Sequence, residues 1–312
     1  MATEQSDRAT GRFELDDAQR ERIRRFARKF RNNTKAMLGL TIVVSLVVVA
    51  IFARPIAVQG VTIQPFSLAP YPVAETNIPA RTQPPSLAHP FGTDDLGRDI
   101  FSRVVVGSRI SLYVGFGAIS VALAVGAVLG VIAGYAGGLT DELVMRLMDA
   151  AMAFPPVLLA LTLLVVLGPE LSNVIIALAF VYTPYIARVS RSAALAERSE
   201  SYVEAAVARG ESNSRIVFSE VFPNCTAPML VQGSLNVSFA ILAEASLSFL
   251  GLGAQPPRPS WGLMINTGRG FMETAPWMLL FPALAIGIAV VGFNMLGDGL
   301  RDVLDPKVEA IE

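Results

Sequence analysis

The sequence contains one cysteine, one histidine, three lysines and few charges of any kind. Cys225 alone allows no internal disulfide, and with His89 as the single histidine there is no Cys/His cluster to hold zinc or iron. Lys29, Lys35 and Lys307 follow no glycine, so the Gly-Lys pair that surrounds phosphates in a P-loop is missing. One histidine also leaves no Ser/His/Asp set and no His pair for hydrolysis. Metal, redox, nucleotide-binding and hydrolytic chemistry are therefore not expected of this chain, and any energy for its work has to arrive from another protein.

Charged residues make up 16% of the chain, against about 25% in ordinary soluble domains. The remainder is strongly apolar, with 53% hydrophobic residues and a mean hydropathy of +0.52. This is the composition of an integral membrane protein. The net charge of −1 hides a segregation in which Lys and Arg cluster between long uncharged runs.

Residues 1–35 carry ten Arg or Lys, and Ile23, Phe26, Ala27 and Phe30 fall at i, i+3, i+4, i+7. That pattern reads as a basic amphipathic helix on the inner leaflet, with a disordered basic tail as the alternative. The run Ala36 to Ala53 is uncharged and, at about 1.5 Å per residue, just long enough to cross the hydrocarbon core. Its basic flank puts the N-terminus in the cytoplasm. From Pro55 to Pro90 eight prolines and no helical or strand period predict an extended external segment. Residues 92–112 then alternate Asp94, Asp95 and Asp99 with Arg98, Arg103 and Arg109, which suits a short outer-surface helix leading into a span. A calcium loop is the minor alternative, but EF-hand spacing is absent.

Ile110 to Thr140 predicts the second span, ending near Tyr135, with residues 134–138 as an inner loop. Gly126, Gly130 and Gly134 repeat every four residues and offer one smooth face for close helix packing. Ala150 to Pro169 and Leu171 to Ala187 predict the third and fourth spans, with Pro155, Pro156 and Pro184 near their inner ends. Prolines there imply burial in a bundle, where neighbours re-satisfy the freed carbonyls. Val221 to Ala243 and Thr274 to Gly297 complete six spans, with both termini inside. The 25 Lys and Arg then divide into eighteen inside and seven outside, in agreement with the positive-inside rule. Glu244 is the one intramembrane carboxylate, read either as a group on the transport path or outer gate or as a carboxylate snorkelling or hydrogen-bonded at the interface.

Between the fourth and fifth spans lies YVEAAVARGESNSRIVFSEVFPN, soluble in character and helical by propensity. Glu204, Ala205 and Ala206 open a helix that stops at Gly210, Ser212 or Ser214 caps a second helix from Arg215 to Phe222, and Pro223 ends the unit. Taken alone it is either a docking helix-turn-helix or a solvated loop.

Glu204-Ala205-Ala206, Gly210 and Pro223 at this spacing resemble the EAA motif of the membrane subunits of ATP-binding-cassette importers, although Glu220 and Phe222 depart from the usual pattern. GTDDLGRDIFSRVVVGSRISL and EASLSFLGLGAQPPRPSWG are similar to the second permease subunit of dipeptide, oligopeptide and nickel importers. The resemblance implies an all-α, six-span, type I importer permease fold in a bacterial cytoplasmic membrane. Its divisions are an N-terminal segment (1–35), a first transmembrane helix (36–54), an external segment (55–109), a permease core (110–306) with its cytoplasmic loop at 188–223, and a tail (307–312). It implies alternating access, with a coupling helix around Ala205 to Ser212 seated on a separate ATPase. Glu204, Ala205, Ala206, Arg209, Gly210, Ser212 and Pro223 are its expected coupling residues; Glu204 either pairs with the ATPase or ties the two short helices. The implied partners are the lipid bilayer, a second permease, two ATPases that bind ATP and Mg, and an extracytoplasmic binding protein. No nucleic acid and no cofactor of this chain's own are expected. Peptide, nickel and haem remain open as substrates, and an ATP-independent carrier or channel is the competing class.

Overall fold

The computed structural model describes residue 21 and residues 24–58 and 61–304. The tail 307–312 and most of the basic N-terminal segment, Ile23 included, lie outside the described residues. Residues 24–32 are helical, and Asn33 then caps the next helix by accepting from the Ala36 amide at 3.0 Å. That helix, α1 (Thr34–Phe52), matches the first apolar run.

The external segment begins with a small antiparallel hairpin, β1 (Ile56–Val58) and β2 (Val61–Gln64), which the proline-rich composition did not announce. Its prolines leave two short runs, IAV and VTIQ, free to pair, and Pro65 follows the second strand. The chain then crosses to α2 (Ile100–Ala136), one continuous helix instead of a surface helix joined to a span. Asp99 starts it, accepting from the Ser102 amide at 2.7 Å and lying 2.9 Å from His89 Nδ1. α2 runs through Gly134, expected in a loop, and ends where Gly137 takes φ +66°.

The third expected span is the main correction. In place of one helix from Ala150, there are two, α3 (Gly138–Met152) and α4 (Pro156–Leu167), bent by 89°. Pro155 and Pro156 both lack an N–H, so the hydrogen-bond ladder cannot run through the break. α4 alone is about 18 Å long, short of a roughly 30 Å core. Among the described residues five helices are long and apolar enough to cross a membrane, and a sixth crossing exists only if this bent pair is counted as one. The other long helices are α5 (Leu171–Glu197), α7 (Thr226–Phe249) and α9 (Trp277–Leu304), with α6 (Ser201–Ala208) and α8 (Trp261–Gly268) as short helices between them. α9 continues two turns beyond the expected end at Gly297.

The bundle is built on two close helix pairs. α2 and α5 run parallel, and a Cβ at Gly126 would lie 2.7 Å from the Thr183 carbonyl oxygen, one at Gly134 2.6 Å from that of Arg191. At Gly130 the Ala187 carbonyl is closer still. The four-residue stripe thus lies along α5 at backbone distance, and Pro184 is buried beside it. α1 and α9 form the second pair, antiparallel, with Gly39 against Leu296 and Gly299 against Ala36. The main core gathers Ile119, Leu164, Leu178, Ile186, Ile241 and Phe293 between these helices.

The end of the bundle that carries residues 53–99 and 250–276 is rich in polar closures. The fully buried Trp261 wedges α8 against α2, donating from Nε1 to the Val104 carbonyl at 2.9 Å. Arg98 pairs with Asp94 at 2.7 Å and with Asp95. Arg103 approaches Asp94 and donates to the Val73 carbonyl at 2.7 Å. Arg109 caps α1, donating to the last carbonyls of that helix at Ala50 and Ile51 and to the carbonyl of Arg54. Arg98, Arg103 and Arg109, from the stretch expected on the outer surface, therefore have fixed structural partners.

Candidate functional site

At the opposite end of the bundle, the unit between α5 and α7 is a small folded body with its own core. α6 turns Val203 and Ala206 inward against Ala194 of α5, Ala127 and Val131 of α2, and Ile216, Val217 and Val221 of the following turn; Cys225 and Met229 close the cluster. The helix ends in a Schellman turn. Gly210, at φ +74°, donates its N–H to the Val207 carbonyl at 2.9 Å, and Glu211 reaches back to Ala206 at 3.2 Å. Only glycine adopts this φ without cost.

The second helix differs from the sequence reading. Ser212 occupies the N-cap position, but its hydroxyl makes no capping bond and lies 3.4 Å from that of Ser214. One α-turn (Asn213–Arg215) passes into a π-turn (Ile216–Val221) and another α-turn (Phe222–Asn224), leading almost directly into α7. Pro223 does not end the unit. The wide i→i+5 turn precedes it, with the Phe222 N–H bonded to the Val217 carbonyl, so a residue without an N–H is accommodated inside the helical path.

Two side chains that the sequence reading passed over tie this body together and, through Tyr202, to the end of α5. Tyr202 donates its hydroxyl to the Glu197 carboxylate at the end of α5, and Asn224 donates to Tyr202 Oη at 3.1 Å. Burial, then the neighbouring Glu197 carboxylate, pushes the Tyr202 phenol up to about 12. Burial also raises the Cys225 thiol to about 11, again with help from Glu197. The available signal was an aromatic residue with a polar tip in the first turn of the helix.

The expected coupling residues do not share one face. Ala206 is fully buried and belongs to the unit's core. Glu204, Ala205, Val207, Arg209, Gly210 and Ser212 are exposed, with Val207 55% accessible. Arg209 pairs with Glu211 at 2.8 Å. Glu204 makes no ion pair or side-chain hydrogen bond among the described residues, so it does not tie the two short helices together. Glu204 and Val207 thus stand exposed on a helix whose opposite side is packed into the unit's core.

Glu244 lies at the other end of α7 and is fully buried. Ser111 of α2 donates to its Oε2 at 3.2 Å and Ser248 to its Oε1 at 2.7 Å. Ser248 in turn accepts the amide of Ala254 at 3.1 Å, so the carboxyl group joins α2, α7 and the loop after α7. In this conformation it faces no opening.

A bundle of long apolar helices with a small folded body at one end has the architecture of a polytopic membrane subunit. Residues 126–310 match the family described as binding-protein-dependent transport system inner membrane component, and residues 22–85 match the N-terminal TM domain of oligopeptide transport permease C. The chain belongs to this family of inner-membrane transport components, and is a multi-pass protein of the cytoplasmic membrane. It is 46% identical over 283 residues to the dipeptide transport system permease protein DppC of Alkalihalophilus pseudofirmus, covering 91% of this chain and 89% of the relative. It is 43% identical to the glutathione transport system permease protein GsiD of Escherichia coli over 284 residues, 91% and 90% of the two chains. A putative peptide transport system permease protein of Brucella abortus is 41% identical over 297 residues, 95% and 96% of the two.

Proposed function

We propose that this chain is the transmembrane subunit of an ATP-driven importer that moves dipeptides or short oligopeptides into the cytoplasm by alternating access. The observation that carries the reading is the α6 body, whose core fixes it to α2 and α5 while Glu204 and Val207 face outward. Rigid seating is what the task requires, because a frayed loop would absorb a partner's movement before it reached the bundle.

In this reading α3 and α4 together make one crossing, giving six spans with both termini and α6 in the cytoplasm, as the charge distribution favours. A second, homologous permease completes the path. Two ATPase subunits seat on the α6 bodies and bind the ATP and Mg; this chain binds neither and catalyses nothing. An extracytoplasmic binding protein delivers the substrate. Relatives named for dipeptide and glutathione transport favour peptides over nickel or haem. Glu244 acts on the outer gate indirectly, through the loop that Ser248 anchors. An ATP-independent carrier would need ionisable groups along its path, and Glu244 is enclosed.

The test is uptake of labelled dialanine by proteoliposomes holding the purified complex and its binding protein. Uptake is expected only with ATP on the ATPase side. Equal uptake without ATP, or from the permease pair alone, overturns the reading.

A further inference from the structure

α3 is an unusual element for the interior of a permease, because none of its side chains is buried. Its leucines face away from the bundle: Leu139, Leu143 and Leu147 are 70%, 54% and 67% exposed. Apolar packing therefore does little to fix its position. What fastens it to the bundle is charge. Arg191 of α5 grips Asp141 through both carboxylate oxygens, with Nη2 donating to Oδ2 and Nε to Oδ1. One turn earlier on α5, Arg188 donates to Asp149 at 2.6 Å.

The two pairs are unequal. The Asp141 side chain is 17% exposed and Arg191 34%, whereas Asp149 and Arg188 are about half exposed. A two-pronged, partly shielded arginine–carboxylate pair keeps its geometry, while an exposed pair is worth little. Asp141–Arg191 is the principal link, with the more exposed Asp149–Arg188 pair beside it.

The position of this link on α5 gives it a use. The carbonyl of Arg191 also receives the close approach of Gly134 on α2. Six residues further on, Glu197 takes the hydroxyl of Tyr202, which heads the α6 body. At its far end α3 meets α4 across the break at Ala153–Pro155, where the helix turns by 89° and two successive residues lack N–H donors.

We propose that Asp141–Arg191, with Asp149–Arg188 beside it, is the transmission link that carries movement of the α6 body through α5 into α3, with the proline break acting as the joint that turns α4. These four are positioning residues. The inference rests on the reading of α6 as the ATPase-docking body, but not on which substrate is carried.

The experiment uses the complete transporter complex with spin labels at Leu147→Cys on α3 and Val166→Cys near the outer end of α4, both exposed; the buried Cys225 stays unlabelled. Distances are measured in the nucleotide-free and ATP-bound complexes. The otherwise unaltered complex is expected to show an ATP-dependent shift of several ångströms, about the rise of one helical turn. Asp141→Asn should abolish the shift while the complex still assembles and binds ATP, and the exchange Asp141→Arg with Arg191→Asp should restore at least half of it. If Asp141→Asn does not assemble, the exchange and Asp149→Asn are compared in its place, with at least a two-fold smaller shift expected in Asp149→Asn. No shift in the unaltered complex, a full shift in the neutralised variants, or no recovery on charge exchange overturns the link. Uptake of labelled dialanine is recorded on the same samples. An intact, link-dependent shift without dialanine uptake counts against the peptide reading alone.

Discussion

The hydroxyl of Ser111 on α2 donates to the carboxyl group of Glu244 on α7 at 3.2 Å, in a position closed to solvent. With Ser248 on the other oxygen, this one side chain holds two helices and, through Ser248, the amide of Ala254. Glu244→Ala would leave two hydroxyls without their acceptor, each buried orphan costing about 1–3 kcal/mol. We expect Glu244→Ala to lower the thermal midpoint of the detergent-solubilised protein, and Glu244→Gln, which keeps the shape and one acceptor, to stay much closer to the parent. Equal losses for both substitutions would remove the hydrogen-bonding explanation.

The α2–α5 seam makes a sharper steric prediction. A methyl group at Gly130 meets the Ala187 carbonyl and Ser190 Cβ, both backbone-anchored atoms with little freedom to yield. Gly130→Ala should therefore destabilise by about 1–3 kcal/mol or more through overpacking. At Gly287 on α9 an added methyl group would meet nothing within 4 Å, so Gly287→Ala should be neutral or stabilising by at most about 1 kcal/mol. The comparison of thermal midpoints for the two variants separates packing from helix propensity.

Gly210 is the converse case. It has open space around it but a φ of +74°, so the cost of substitution there is conformational. Gly210→Asn should retain most uptake, because asparagine tolerates this region. Gly210→Val should cost about 1–3 kcal/mol locally, untwist the Schellman turn and lower uptake while membrane levels stay unchanged. Normal uptake by the valine variant would separate the turn from the coupling role.

Cys225 gives a pH-dependent readout. Burial raises its thiol to about 11, so in the folded protein the proton stays on at pH values where an ordinary thiol near 8.5 is half ionised. At pH 8 the folded protein therefore holds far less of the thiolate, the reactive form, than an ordinary thiol does. Maleimide labelling of the folded protein should be slow at pH 8 and rapid after denaturation. Fast labelling of folded protein would show that the core beneath α6 opens readily.

The sequence made the membrane class, the helix-rich core, the short helix ending at Gly210 and the Gly126–Gly130–Gly134 stripe readable, because each rests on local pattern: charge-free runs, a glycine turn and a four-residue period. It did not reveal the break between α3 and α4. Hydropathy reports how apolar a stretch is and says nothing of its direction, so Gly138–Leu167 looked like a loop followed by one span. The hairpin at 56–64 was hidden by the prolines on either side. Pairings between distant residues, such as Arg109 with the end of α1, Tyr202 with Glu197 and Asp141 with Arg191, depend on how helices are arranged in space. No spacing along the chain encodes them. Ala206 shows the same limit within a motif, since a helix of eight residues has two faces and the motif does not say which one a partner meets.

The central claim is that α6 seats on an ATPase subunit. A photo-crosslinker placed at Val207, exposed at the centre of that face, tests it in the purified complex, with a crosslinker at Val166 on the opposite end of the bundle as the reference. The account predicts a covalent permease–ATPase product from position 207 and none from position 166. A product from position 166, or none from position 207 in a complex that still hydrolyses ATP, would contradict it.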